Sequence, residues 1–246
     1  MGEEVIQNAR TIADKLSTYS VMANALGKQD HHQQSLKLSR ETVQLCKEYP
    51  KRGYLFHIVP QLLSLRSYFK RTSDEEFFRQ HPVVADLEDR DKADRTVTVM
   101  SFMRQIVIRG FLCQDVLSWI LAMVRMLHIT RRDGICEDTG AALVAFALIH
   151  VILGEYENAT RFCNLAKAVI DRANGNKRME GWTLFVGVTY IESYSIPSSD
   201  VASIYKKAYT SAMAVGELEV GFLAYFSCLM HAYLQGYPLR DLLPAI

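Results

Sequence analysis

An all-α fold built as an array of helical hairpins is what this sequence predicts, and three observations predict it. Alternating Val, Ile and Thr runs bounded by turn residues are nearly absent; the exception, Thr96-Val97-Thr98-Val99, merges into a helical pattern. Apolar and small residues recur at helical spacing through most of the chain. Good helical stretches are cut by Gly or Pro and resume at once, as at Leu153-Gly154-Glu155-Tyr156.

In chain order, the first hairpin turns at Leu26-Gly27, places Ser39, Val43 and Cys46 on its second helix, and closes at Pro50. A more irregular pair follows at about residues 54–80. Between Asp86 and Arg95, eight of ten residues are charged with both signs mixed, which predicts a solvated loop or a surface helix end. The only plausible subdivision of the chain sits there, although the apolar pattern resumes immediately and one continuous array over 1–246 is the expectation. The next hairpin turns at Gly110 and continues through Ala122 and Met126. His128-Ile129-Thr130-Arg131-Arg132-Asp133 superficially echoes a kinase catalytic loop, but Arg131-Arg132-Asp133-Gly134 reads as a helix C-terminus, with cations at the negative end of the dipole and Gly as the cap.

Residues 146–173 supply the clearest pair, with Gly154 to Tyr156 as the turn that lets one helix fold back on the other. Pro197 marks another turn, with Ala208, Ala212 and Val215 on the helix after it. Gly221 to Leu234 reads as the first helix of a last hairpin turning at Gly236-Tyr237-Pro238. The helix beyond would present Leu239, Leu242, Leu243 and Ile246, an apolar end where arrays carry a polar cap, so the chain is expected to be part of a longer protein.

His150, Leu153, Gly154, Ala166, Ile170 and Ala173 fall at the spacing that tetratricopeptide repeats use for their small and apolar packing positions. The reading is therefore a tetratricopeptide-like α-solenoid. Helices under ~12–15 residues are marginal alone in water, so each hairpin must cover its neighbour, and the resulting curve offers a groove. Repeat geometry puts Leu148, Val151, Glu155, Asn158 and Ala159 on the groove side, as weak candidates for binding.

Composition excludes several function classes. With 28 basic and 27 acidic residues the net charge is +1, so no global field holds nucleic acid or an anionic membrane. No apolar run approaches the ~20 residues that span a bilayer, and Met-Gly-Glu-Glu does not open a secretory signal. Five widely separated cysteines form neither a disulfide framework nor a metal pair, which suits a cytoplasmic protein. Gly27-Lys28 has Met22 where a phosphate loop needs its first Gly. His31 and His32 are adjacent and point about 100° apart on a helix, while His57, His128, His150 and His231 stand singly on apolar stretches. No metal, cofactor or catalytic residue is expected. The tyrosines from Tyr190 to Tyr233 read mainly as packing residues.

Asp138-Thr139-Gly140-Ala141 through Gly154-Glu155-Tyr156, Ala208-Tyr209 to Gly216-Glu217-Leu218-Glu219, and Gly236-Tyr237-Pro238-Leu239 carry a resemblance. From about Ala25 onward the chain resembles the tetratricopeptide-like helical region of multidomain signalling ATPases, which join a P-loop ATPase to GAF and histidine-kinase or nucleotide-cyclase modules. The resemblance implies a non-catalytic sensor or regulatory arm, or an interaction scaffold, whose partners are a protein, a peptide or the flanking ATPase and kinase domains. None of that family's catalytic residues is present here to carry over. The alternatives are a free-standing adaptor that takes a peptide or helix in its groove, and an all-helical enzyme with an unrecognised polar cluster.

Overall fold

In the computed structural model, which describes residues 12–173 and 178–237, every regular element is helical. Eleven α-helices are found among the described residues: α1 (Ile12–Lys28), α2 (His32–Leu45), α3 (Tyr54–Arg71), α4 (Asp74–Gln80), α5 (Arg90–Leu112), α6 (Val116–Asp133), α7 (Asp138–Ile152), α8 (Tyr156–Arg172), α9 (Arg178–Tyr190), α10 (Ser198–Ala214) and α11 (Leu218–Leu234). The fold is all-α, as the sequence predicts. Thr96 to Val99 lies inside α5, and the one β contact among the described residues is an isolated parallel bridge between Val83 and Ile135. No described helix is long and apolar enough to cross a membrane. Pro238, Leu239, Leu242, Leu243 and Ile246, which carried the expectation of an uncapped last hairpin, lie outside the described residues.

The chain gathers into two compact units, Met1–Ala145 and Phe146–Ile246, with the boundary inside α7. The charged stretch 86–95 lies within the first unit, where Asp89 caps α5 by accepting a hydrogen bond from the Lys92 amide at 3.0 Å.

One turn recurs. The links α1–α2, α5–α6, α7–α8 and α10–α11 each span three residues, and the middle residue is left-handed: Asp30 (φ 64°), Gln114 (φ 58°), Gly154 (φ 74°) and Gly216 (φ 73°). In each, the amide of the third link residue returns to a carbonyl five residues back: His31 to Leu26 (2.9 Å), Asp115 to Gly110 (2.8 Å), Glu155 to His150 (2.8 Å) and Glu217 to Ala212 (3.0 Å). This closure satisfies helix-end carbonyls and reverses the chain. Five residues past each left-handed position stands a buried residue that meets the preceding helix or the core: Ser35, Trp119, Ala159 and Gly221.

These turns correct the placement of two glycines. Gly27 and Gly110, read in the sequence as turn residues, lie inside α1 and α5, and Asp30 and Gln114 hold the left-handed positions instead. The glycines serve close approach. A Cβ on Gly27 would stand 2.5 Å from the Arg109 guanidinium, and one on Gly110 would stand 3.1 Å from the Trp119 backbone nitrogen. Pro197 stands where the sequence places it, in the link between α9 and α10 and immediately before α10, with Ala208 and Ala212 buried on α10 and Val215 just past its end.

In the first unit α5 is the hub, packed by α1, α2 and α6. Phe102 through Gly110 are buried without interruption, so polar residues in that run must find partners inside. Arg104 pairs with Asp138 at 2.9 Å, the Gln105 amide donates to Asn24 Oδ1 at 2.6 Å, and Arg109 meets His32 Nδ1 at 3.1 Å. Outside the hub, Glu48 accepts from Arg125 (3.1 Å) and Arg132 (3.0 Å), fastening the α2–α3 loop to α6. Gly134 ends α6, as its cap role predicts, at φ 117°; a side chain there would strike the Pro82 carbonyl at 2.5 Å.

In the second unit, α9 is the core helix, in contact with α8, α10 and α11. Two of its glycines admit neighbours: Gly181 receives α10 at Ala208 and Ala212, and Gly187 receives the Cys163 sulfur of α8. Lys167 reaches the buried Glu192 at 2.5 Å, and Glu180 accepts from Ser211 and Lys207, both at 2.8 Å.

The turn and the hub can be tested separately by thermal unfolding. Open space surrounds Gly154, so Gly154→Ala should cost only the left-handed backbone penalty, ~1–2 kcal/mol, and Gln114→Gly should recover part of the same quantity. Asp138→Asn should cost more, about 3–5 kcal/mol, because it leaves the Arg104 charge buried without its counter-charge.

Candidate functional site

Helix α11, LEVGFLAYFSCLMHAYL, carries one formal charge, at Glu219, and has apolar residues all round. Its inner side is packed: Val220, Gly221 and Ala224 are buried, and Met213 of α10 approaches so closely that a Cβ on Gly221 would stand 2.8 Å from its sulfur. Tyr209 of α10 and Tyr225 of α11 add a ring contact at 5.3 Å. The other side is open. Leu218, Phe222, Phe226, Met230 and Leu234 step along it every four residues, and Phe222 and Phe226 are 62% and 61% exposed.

With Tyr233, these side chains are exposed along a helix about 25 Å long. Isolated exposed apolar residues are ordinary, whereas a run of large ones along one helix is a candidate interaction surface. A helix that is apolar on every side is normally buried on every side. The inner face of α11 has its neighbour, and the outer face has the composition of a second packing face.

The groove candidates from the sequence lie at the α7–α8 turn. Leu148 and Val151 are half-buried, Asn158 is exposed, and Ala159 is fully buried and presents no surface. Glu155 and Asn158 are brought together: Glu155 Oε2 accepts from the Asn158 amide at 3.3 Å and lies 2.6 Å from His150 Nδ1. The His150 ring packs within 4.8 Å of Phe146 and 5.0 Å of Phe162, a core histidine as its apolar setting implies. Around this turn Ile152, Leu153 and Tyr156 are exposed, a small apolar rim that the repeat spacing did not single out.

The remaining chemistry-bearing groups stand apart. Burial pushes the Cys136 and Cys163 thiols up to about 12, so both are protonated at neutral pH and neither is a ready nucleophile. All five cysteines are free thiols. His57 is exposed, His128 Nε2 lies 3.3 Å from the Gln61 carbonyl, and His231 Nε2 lies 2.8 Å from Ser198 Oγ. Among the described residues no three His, Cys, Asp or Glu side chains come together in a metal-holding group. Tyr205 is buried and Tyr190 and Tyr233 are partly exposed.

Comparison with protein-family models, with curated proteins and with solved structures gives no match. Any functional reading therefore rests on the chain's own surfaces, of which the outer face of α11 is the most strongly built. The sequence held the signal for it, in the four-residue step of Leu218, Phe222, Phe226 and Met230 opposite Val220 and Ala224.

The two faces of α11 should respond oppositely to charge. Phe222→Lys combined with Phe226→Lys should change unfolding free energy by less than about 1 kcal/mol, as solvent-facing substitutions do, and should lower binding of an apolar fluorescent dye. Ala224→Lys, which buries an ammonium against α10, should cost several-fold more in the same thermal melts.

Proposed function

We propose that this protein is a non-catalytic helical scaffold, organised as a tetratricopeptide-like array, that acts as the regulatory arm of a larger signalling ATPase or sensor kinase. The observation that carries the reading is the uncovered outer face of α11, a helix whose composition calls for a helical neighbour on both sides. The four equivalent three-residue turns support an array, because they repeat one packing relation at four places in the chain. A partner helix laid along Leu218, Phe222, Phe226 and Met230 would be read at i, i+4 and i+8, as helix-in-groove partners are. Coupling would follow if that partner bound one curvature of the array better than another, since a ligand shifts a conformational equilibrium only by its differential affinity.

Two measurements on the endogenous protein test this. An antibody to this chain should detect a product much larger than 28 kDa, the mass of these residues, with an ATPase or kinase module in the same polypeptide. A photo-crosslinking residue at Phe226 should then join α11 to a helix of that module or its partner, whereas the same probe at the exposed Asn164 of α8 should not. A product near 28 kDa that crosslinks from Phe226 to a separate polypeptide would make the chain a free-standing adaptor. Equal crosslinking at both positions would remove the α11 face from consideration.

A further inference from the structure

A cleft of about 660 Å³ opens in the first unit between the second half of α3, the short α4 and the last turn of α6. Its volume is in the range of sites that hold small molecules, roughly 300–1,000 Å³. Its lining is polar and cationic. Ser64, Ser67 and Arg71 share one side of α3 at intervals of three and four residues, Ser73 stands at the α3–α4 junction, and α6 contributes Arg131.

The charge balance inside the cleft is one-sided. Arg131 stacks over the Tyr68 ring with its guanidinium carbon 4.2 Å from the centroid, and among the described residues it forms no ion pair with a carboxylate. Arg71 donates to Ser67 Oγ at 2.9 Å and likewise forms no ion pair with a carboxylate among the described residues. Glu76, the one acidic residue of the lining, is taken by Arg79 and Gln80. Two guanidinium groups therefore face a concave space whose one carboxylate is paired elsewhere among the described residues. The hydroxyls around them are poised as donors: Ser67 Oγ already accepts from Arg71, and Ser73 Oγ accepts from the Glu76 amide at 3.1 Å, so each keeps its own proton to give.

Packed rings and hydrogen bonds hold the platform. Tyr68 Oη lies 2.8 Å from His81 Nε2, and the His81 ring packs 5.1 Å from the buried Phe77. Burial, reinforced by the nearby Arg131, holds His81 below its ordinary pKa, so at neutral pH it adds no charge and serves as an anchor for the tyrosine. Tyr68 in turn fixes Arg131 by cation–π stacking.

We propose that this cleft is a receptor for a small phosphate-bearing anion, with Arg71 and Arg131 supplying charge and Ser64, Ser67 and Ser73 supplying hydroxyl donors. A carboxylate has two oxygens and is saturated by one guanidinium fork; a phosphate has three terminal oxygens and more charge, and uses both forks and the hydroxyls. The chain's net charge of +1 provides no broad electrostatic field, so recognition is local to the cleft. The proposal stands on the first unit alone and is independent of the α11 face.

Isothermal titration of the full chain with pyrophosphate, against inorganic phosphate and acetate at constant ionic strength, is the test. Pyrophosphate is expected to bind saturably and at least tenfold more tightly than acetate. Arg71→Gln, whose exposed side chain hydrogen-bonds to Ser67, should weaken it about tenfold or more, as loss of a charge-assisted contact does. Arg131→Gln should do the same, with retention of fold checked by circular dichroism. Arg52→Gln, an exposed cation outside the cleft, should leave binding unchanged. Absence of saturable binding, equal affinity for acetate, or equal losses in Arg52→Gln and Arg71→Gln would each overturn the proposal.

Discussion

The left-handed turn that closes each hairpin is the constraint on which the rest of the architecture depends. Helices of the length found here gain little stability alone, because nucleation is costly and few intrahelical bonds compensate it. A three-residue link with one left-handed residue brings the next helix back while the preceding helix is still satisfying its last carbonyls. It also sets register. The residue five places beyond each turn is pressed inward, which is why Ser35, Ala159 and Gly221 are small and why Trp119, the large exception, faces Gly110. Where the chain cannot supply glycine at the turn it uses Asp30 or Gln114 and accepts backbone strain.

Inside the first unit the dominant cost is burial of polar groups along α5. Nine consecutive residues of this helix, Phe102 to Gly110, have no solvent side. Arg104, Gln105 and Arg109 are tolerated because three other elements each bring one complementary group: Asp138, Asn24 and His32. Such pairs add little net stability compared with apolar packing, but they penalise misplacement heavily, since a shifted helix strands a charge. The hub thereby selects one arrangement of its neighbours.

The two proposals rest on two surfaces of unlike chemistry. The outer face of α11 is apolar and linear, suited to a helix; the α3–α4–α6 cleft is cationic and concave, suited to a small anion. The reading of the chain as a binding scaffold draws on the first of these surfaces, and the proposed anion site draws on the second.

The all-α class was legible in the sequence because helical periodicity and the shortage of strand patterns are local properties. So were the Gly154 turn and the Gly134 cap, each carried by a few adjacent residues. Gly27 and Gly110 were misread as turns because a glycine that admits a neighbour and one that adopts positive φ look alike in one dimension. Ala159 could be placed near a turn by spacing, but only its packed neighbours decide that it is buried. The cleft was invisible for the same reason: Arg131 and Tyr68 are 63 positions apart in the chain, and their stacking exists only because α6 lies against α3. Sequence by itself determined the helices and much of where they break, since those depend on neighbours within a turn or two. Tertiary structure alone decided which glycines serve packing, which charges are partnered and which faces remain open, because those depend on contacts between residues far apart in the chain.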